Sequence, residues 1–184
     1  SGGEVNDKAI HSLLRFRFIH DPMTIYKNFN KLPPGTFMIF NKYGKNIKNW
    51  FTLRYESRRP NEFSPAAVKK TINKAVSKRL VSDVPVGIFL SGGLDSAIIM
   101  DTVAQLGKKI PTYTVGFYNE SSYYDESCNA RRIAKHYGFE NNTIYLDQKN
   151  IFKSIDKILD ANDEPFADSS SIAMYMISNS VKDN

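Results

Sequence analysis

The sequence has very little cysteine: Cys128 is the single one among 184 residues. One thiol excludes an internal disulfide and any metal site built from several thiolates, and we expect Cys128 to be a small packed side chain. No apolar run approaches the roughly 18 residues that cross a bilayer, and the first ten residues lack a basic segment followed by an apolar one. We therefore expect a soluble, cytoplasmic protein without a membrane partner.

Histidine is scarce as well. His11, His20 and His136 are scattered and do not have the spacing of a metal-binding triad. The chain has neither an internal repeat nor a low-complexity tract. With 41% hydrophobic and 24% charged residues, its composition is that of a globular protein with a real core.

The formal net charge of +6 is concentrated at one end. Residues 1–60 hold 11 of the 25 basic residues but only 4 of the 19 acidic ones. Within this end, basic and aromatic side chains alternate, as in LRFRF at residues 14–18. Such a pattern suits an interface with another domain as well as it suits a nucleic-acid surface, so nucleic acid is not the partner we favour.

The chain divides near residue 60. Residues 36–53 predict a β-hairpin, with strands at 36–40 and 47–51 around an Asn-Lys-Tyr-Gly turn. Residues 55–63 have no apolar period and include Pro60, which predicts a linker. We therefore expect an N-terminal segment of residues 1–54 and a second domain of residues 64–184.

From Ser64 onwards, predicted helices and strands alternate. Ser64 is a candidate N-cap, with Pro65 at the first helical position. Strands are predicted at residues 86–90, 112–117 and 143–146, and helices at 64–80, 94–106, 125–137, 151–159 and 170–181. This alternation predicts an α/β fold with a parallel sheet and flanking helices, preceded by the small hairpin. Ligands of such sheets lie beyond the carboxyl ends of the strands.

The turn after the strand at 86–90 reads SGGLDS at residues 91–96. Gly92 and Gly93 allow the backbone to approach a ligand closely, and the following helix start offers unpaired N–H groups and its dipole. The string matches neither GxxxxGK[ST] nor GxGxxG. The turn therefore predicts a pyrophosphate site of another kind, although two glycines can also simply form a tight turn.

Three polar side chains in this turn fit that chemistry. The hydroxyls of Ser91 and Ser96 are able to donate hydrogen bonds to phosphate oxygens. Phosphate would repel the carboxylate of Asp95 unless a cation lay between them, so Asp95 implies Mg²⁺. The alternative for Asp95 is stabilisation of the first helical turn.

These residues and their flanks resemble the PP-loop of ATP pyrophosphatases, and in particular the glutamine-hydrolysing asparagine synthetase family. The other matching segments are RFIHDP at 17–22, TIY at 24–26, KLPPG at 31–35, TYTVGF at 112–117, YDE at 124–126 and DEPFAD at 163–168. The resemblance extends from about residue 11 to residue 180 and so covers nearly the whole chain.

The resemblance implies a PP-loop fold and an ATP-dependent, amide-forming ligase. In that reaction the side-chain carboxylate of aspartate attacks the α-phosphate of ATP, pyrophosphate leaves, and ammonia derived from glutamine converts the aspartyl adenylate to asparagine. The implied ATP and pyrophosphate site comprises Leu90, Ser91, Gly92, Gly93, Asp95, Ser96 and Val115. Of these, Leu90 and Val115 would present backbone groups to the adenosine, and Asp95 would bind Mg²⁺. No catalytic residue is assigned within the chain.

The chain also departs from the family pattern. The family's glutaminase has an N-terminal cysteine nucleophile where this chain has Ser1, and its second SG-x-G-x-DE motif and catalytic lysine have no counterpart here. The resemblance thus implies the tail of a glutaminase-type domain in residues 1–54 and the first half of a synthetase domain in 64–184. We expect the chain to be inactive alone, because it lacks two partner regions: the glutaminase domain and the C-terminal half of the synthetase domain. We also expect it to associate with itself through an exposed sheet edge at 86–90.

Alternative functions stay open at this point. A related amidotransferase could activate a different carboxylate, or the chain could be a non-catalytic nucleotide-binding module. An RNA-modifying PP-loop enzyme is supported only by the charge asymmetry. The acidic pairs Asp125-Glu126 and Asp163-Glu164 could bind substrate or metal, or could serve a helix start and a loop.

Overall fold

A computed structural model describes residues 3–55, 64–118 and 125–182. Its elements are α1 (Asp7–Phe16), β1 (Thr36–Asn41), β2 (Gly44–Asn49), α2 (Pro65–Arg79), β3 (Ile88–Phe89), α3 (Leu94–Gln105), β4 (Thr112–Phe117), α4 (Ser127–Tyr137), β5 (Asn141–Leu146), α5 (Gln148–Asp160) and α6 (Ser170–Lys182). The described residues form two compact units, one of residues 3–55 with 156–169 and the other of 64–118, 125–155 and 170–182.

The first unit contains a helix, α1, that was not expected from the sequence. The side chain of Asn6 caps α1 by accepting a hydrogen bond from the Lys8 N–H, and the helix ends at Arg17, whose φ is +68°. The buried face of α1 consists of two small residues, Ala9 and Ser12. The alternation of basic and aromatic residues at 14–18 hid the last turn of this helix, because it does not follow a helical period.

The predicted hairpin is confirmed. Strands β1 and β2 pair antiparallel from Thr36↔Asn49 to Asn41↔Gly44. The second strand ends at Asn49 rather than at residue 51, because the N–H groups of Trp50 and Phe51 both donate to the Gly35 carbonyl, at 3.0 and 3.2 Å. Gly35 has φ +68°, and a Cβ there would collide with the Phe51 carbonyl oxygen, so this corner requires glycine.

The second unit has the predicted α/β architecture. Its sheet has the order β3-β4-β5 and both pairs are parallel. β4 has the predicted bounds, and β5 begins two residues earlier than predicted. Among the described residues β3 pairs with β4 alone, so its outer side is an edge; association of copies through it stays a prediction.

The predicted strand at 86–90 is shorter in the structure. The Ile88 N–H donates to the Pro111 carbonyl and the Leu90 N–H to the Tyr113 carbonyl. The next bond of this ladder towards Val86 would need an N–H on residue 111, and proline has none. The ladder therefore begins at Ile88.

Helices cover both faces of this sheet. Ile88 and Leu90 pack against α3 and α4 in a core completed by Met100, Val103, Ala130, Ala134 and Phe139. The other face of the sheet is covered by α6, which contacts β4 and β5. Cys128, expected to be packed, is instead exposed on α4. No helix in the described parts of the chain is long and apolar enough to cross a membrane.

Buried hydroxyls tie the three strands together. Thr114 Oγ1 donates to the Leu90 carbonyl at 2.8 Å and accepts from Asn141 Nδ2 at 2.8 Å. The same Asn141 amide nitrogen lies 2.9 Å from Thr112 Oγ1. Thr114 is 2% exposed and Leu90 1%, so water cannot replace the partner that the Thr114 hydroxyl gives to the Leu90 carbonyl.

We expect Thr114→Val to lower the free energy of unfolding by about 1–3 kcal/mol, because it strips a partner from both the Leu90 carbonyl and the Asn141 amide. Thr71→Val is the matched control: its hydroxyl donates to the Ala67 carbonyl on an exposed helix surface, and we expect a change within about 0.5 kcal/mol. Urea unfolding followed by circular dichroism measures both. Equal effects of the two substitutions would contradict this role of Thr114.

Candidate functional site

The SGGLDS turn connects β3 to α3. The Ser91 and Ser96 hydroxyl oxygens lie 2.8 Å apart, and the Ser91 N–H donates to Ser96 Oγ at 3.2 Å. The Gly93 N–H donates to Ser91 Oγ at 3.2 Å. These hydrogen bonds of the two serines stabilise the turn. A serine hydroxyl that rotates towards a ligand must break one of them.

The first turn of α3 has free donors. Gly93 is the N-cap and offers no side-chain acceptor, and the first bond of the helix runs from the Ala97 N–H to the Gly93 carbonyl. The N–H groups of Leu94, Asp95 and Ser96 therefore have no partner among the described residues. Three such donors with the helix dipole behind them form a suitable site for an anion.

Asp95 lies in this first helical turn. It is exposed and makes no ion pair or hydrogen bond within the described parts of the chain. These parts also contain no cluster of three or more metal-ligating side chains. A single carboxylate fits Mg²⁺, which proteins commonly bind through one or two carboxylates, with phosphate oxygens and water completing the shell.

The turn is seated on the start of α4. A Cβ on Gly92 would lie 2.8 Å from the Asn129 Cβ and 3.1 Å from the Glu126 Cβ, so only glycine fits there. The Gly92 N–H donates to Glu126 Oε2 at 3.1 Å. The neighbouring Asp125 has a different role, because its Oδ1 accepts the Ser127 N–H at 2.9 Å and caps the helix. Tyr124, part of the same motif, lies outside the described residues.

A pocket of about 240 Å³ opens beside the turn, past the end of β3 and along β4. Its lining is mostly apolar and consists of Phe89, Leu90, Ser91, Tyr113, Thr114, Val115, Phe117, Glu126, Ala173, Met174 and Ile177. The structure thus brings Leu90, Ser91 and Val115 together. Gly92, Gly93, Asp95 and Ser96 occupy the adjoining turn and helix start, outside this lining.

The backbone of Val115 faces the space beyond β3. In β4 the even-numbered residues bond to the β5 side, as the Thr112 N–H does to the Glu140 carbonyl, whereas the carbonyls of Pro111 and Tyr113 accept from β3. Val115 continues this odd-numbered series, but β3 has already ended at Phe89. No bond to its N–H or carbonyl from β3 is found among the described residues, which leaves both groups for a ligand.

Leu90 offers less than the resemblance implied. Its N–H donates to the Tyr113 carbonyl at 2.8 Å, and its carbonyl accepts from Thr114 Oγ1. One lone pair of that carbonyl is what a ligand could still use.

The part of the pocket lining that α6 provides was not predicted from the sequence. Ala173, Met174 and Ile177 line the pocket. Their spacing marks an apolar helix face, but nothing local tells which cavity that face borders. The acidic pair at 163–164 lies in the other unit, where Glu164 forms an ion pair with Lys31 at 2.5 Å.

The model of the Asparagine synthase family matches residues 67–184. A putative glutamine-hydrolysing asparagine synthetase 2 of Methanocaldococcus jannaschii is 30% identical over 179 residues, which are 95% of this chain and 34% of that protein. For asparagine synthetase 1 of Bacillus subtilis the identity is 28%, covering 97% of this chain and 28% of the relative. Amidase chyE of Penicillium rubens is 31% identical over 68% of this chain and 22% of its own length.

The chain thus spans about a third or less of the length of these curated relatives. Among solved structures, the NH3-dependent NAD synthetase of Campylobacter jejuni aligns with a TM-score of 0.42 and 15% identity, over 65% of this chain and 53% of that one. Because the family model covers more than half of the sequence, the chain belongs to the asparagine synthase family.

Proposed function

We propose that this chain binds ATP with Mg²⁺ at the carboxyl ends of β3 and β4, as part of a ligase that activates a carboxylate for amide formation. One observation carries the proposal: the three free N–H groups at the start of α3 adjoin an apolar pocket through Ser91. An anion site beside an apolar pocket is complementary to a nucleotide phosphate attached to a base.

In this arrangement the base lies in the pocket. Its flat faces contact the apolar walls, and the Val115 N–H and carbonyl bond to its edge. The phosphates lie at the N–H groups of residues 94–96, where the Ser91 and Ser96 hydroxyls can turn towards them. Asp95 would hold Mg²⁺, which neutralises phosphate charge when bound.

The chemistry that fits this placement is adenylation. A carboxylate oxygen attacks the α-phosphorus, the bond to the bridging oxygen of pyrophosphate breaks, and ammonia then displaces AMP from the acyl adenylate. The chain's contribution is to orient the α-phosphate and to stabilise the leaving pyrophosphate with fixed donors.

We propose aspartate as the acceptor and glutamine as the source of ammonia, in the cytoplasm. The names of most of the relatives support this choice. Residues 1–54 would then belong to the end of a glutaminase-type domain and 64–184 to the first half of the synthetase domain, with the remaining regions of such relatives as partners. A different carboxylate is the second candidate, favoured by the relative named an amidase.

Exchange of labelled pyrophosphate into ATP tests the activity, in this chain and in any longer gene product that contains it. Exchange that requires aspartate supports the first candidate, and exchange that requires another carboxylate supports the second. Failure of the chain to bind any adenine nucleotide would overturn both.

The metal role of Asp95 predicts that Asp95→Asn weakens the Mg²⁺-dependent part of ATP binding by about 1–3 kcal/mol, the cost of losing one charged contact. Asp83→Asn is the control, because Asp83 is also exposed but precedes β3, at the opposite end of the strand. Calorimetry with and without Mg²⁺ measures the difference. An unchanged metal dependence in Asp95→Asn would refute the assignment.

The two glycines are expected to respond differently to alanine. Gly92→Ala pushes the turn away from α4 and should weaken ATP binding at least about tenfold, since small displacements of binding groups are costly. In Gly93→Ala the new Cβ meets only Ser91 Oγ, at 3.3 Å, and that side chain can rotate. The same calorimetric titration compares them, and an equal or larger loss in Gly93→Ala would contradict the packing argument.

A further inference from the structure

The two acidic residues that precede α4 serve different purposes. Asp125 accepts the Ser127 N–H and so satisfies the helix start. Glu126 occupies the N-cap position, but its side chain makes no capping bond. Its carboxylate instead reaches the Gly92 N–H, 34 residues earlier in the sequence.

Glu126 touches the turn at more than one point. Its Cβ and its backbone carbonyl lie 3.1 and 3.2 Å from where a Gly92 Cβ would be. The same residue also lines the pocket. A hydrogen bond from a backbone N–H to a carboxylate is stronger than one between neutral groups, so this contact fixes the turn on α4.

The bond also decides which donors remain for a ligand. The Ser91 N–H is engaged by Ser96 Oγ, the Gly93 N–H by Ser91 Oγ, and the Gly92 N–H by Glu126. Each amide has a single hydrogen, so the turn itself has no spare N–H. The free donors are those of residues 94–96, in the rigid first turn of α3.

We propose that Glu126 is a positioning residue: it holds the Gly92 amide so that the turn presents the start of α3 to the phosphates. This inference rests on the proposed ATP site. Positioning and simple electrostatics predict opposite results, because a carboxylate beside a phosphate site repels the anion. Removal of its charge alone would therefore tighten binding.

The test is calorimetric titration of the 184-residue chain with inorganic pyrophosphate and Mg²⁺. Glu126→Ala should raise the dissociation constant about tenfold or more, the scale of a lost hydrogen bond to a charged group. Glu126→Gln keeps an acceptor oxygen and should stay within about threefold of the parent. Asp125→Ala is the matched control, which should lower the melting temperature and leave the pyrophosphate affinity unchanged.

Unchanged or tighter binding in Glu126→Ala would overturn the proposal, as would a loss in Glu126→Gln equal to that in Glu126→Ala. If the parent chain binds no pyrophosphate, the proposed phosphate site at the start of α3 fails instead. The NMR shift of the Gly92 amide proton then still decides the inference. It should move upfield in Glu126→Ala and stay near the parent value in Glu126→Gln, and a shift that is the same in all three proteins would refute the contact.

Discussion

The carboxyl end of β3 is the fixed point on which the site depends. Leu90 is buried there, with its N–H bonded to the Tyr113 carbonyl and its own carbonyl bonded to the Thr114 hydroxyl. Because both backbone groups are held by the neighbouring strand, the next residue leaves the sheet in a defined direction. The positions of the turn, the helix start and the pocket all depend on the direction in which the chain leaves β3.

Beyond Leu90, some hydrogen-bond donors are used within the fold and others have no partner among the described residues. Those of the turn are used internally, on two serine hydroxyls and one carboxylate, whereas those of the first turn of α3 are left free. An isolated glycine-rich loop would lose conformational entropy when it binds an anion. A turn held by its own side chains loses less conformational entropy when an anion arrives, so more of the interaction energy appears as affinity.

Several elements could be predicted because their signals are local. The apolar β-branched and aromatic run of β4 fixed its bounds, and Ser64 with Pro65 fixed the start of α2. The shortness of β3 could not be predicted in this way, since it depends on a missing N–H in the adjacent strand. Helix α1 was missed although Ala9, Ile10 and Leu13 recur at helical spacing, because the alternation of basic and aromatic residues at 14–18 has a period of two.

The candidate site was likewise predictable only where its signals are local in the sequence. The residue types at 91–96 indicated an anion site without any structure. The direction of the Glu126 side chain and the cavity that α6 borders are tertiary facts, because each depends on segments distant in sequence. The family resemblance implied that Leu90 and Val115 present backbone groups to the adenosine, whereas the register of β4 leaves mainly those of Val115 without a partner among the described residues.

That register has a consequence for how a base would be recognised at the proposed ATP site. A donor and an acceptor on the same residue would pair with a base edge that offers an acceptor beside a donor, as N1 and the amino group of adenine do. Since both groups belong to the main chain, replacing the Val115 side chain leaves the pairing pattern in place. Base recognition at the proposed site would therefore persist as long as β4 keeps its register against its neighbours and the walls of the pocket keep their shape.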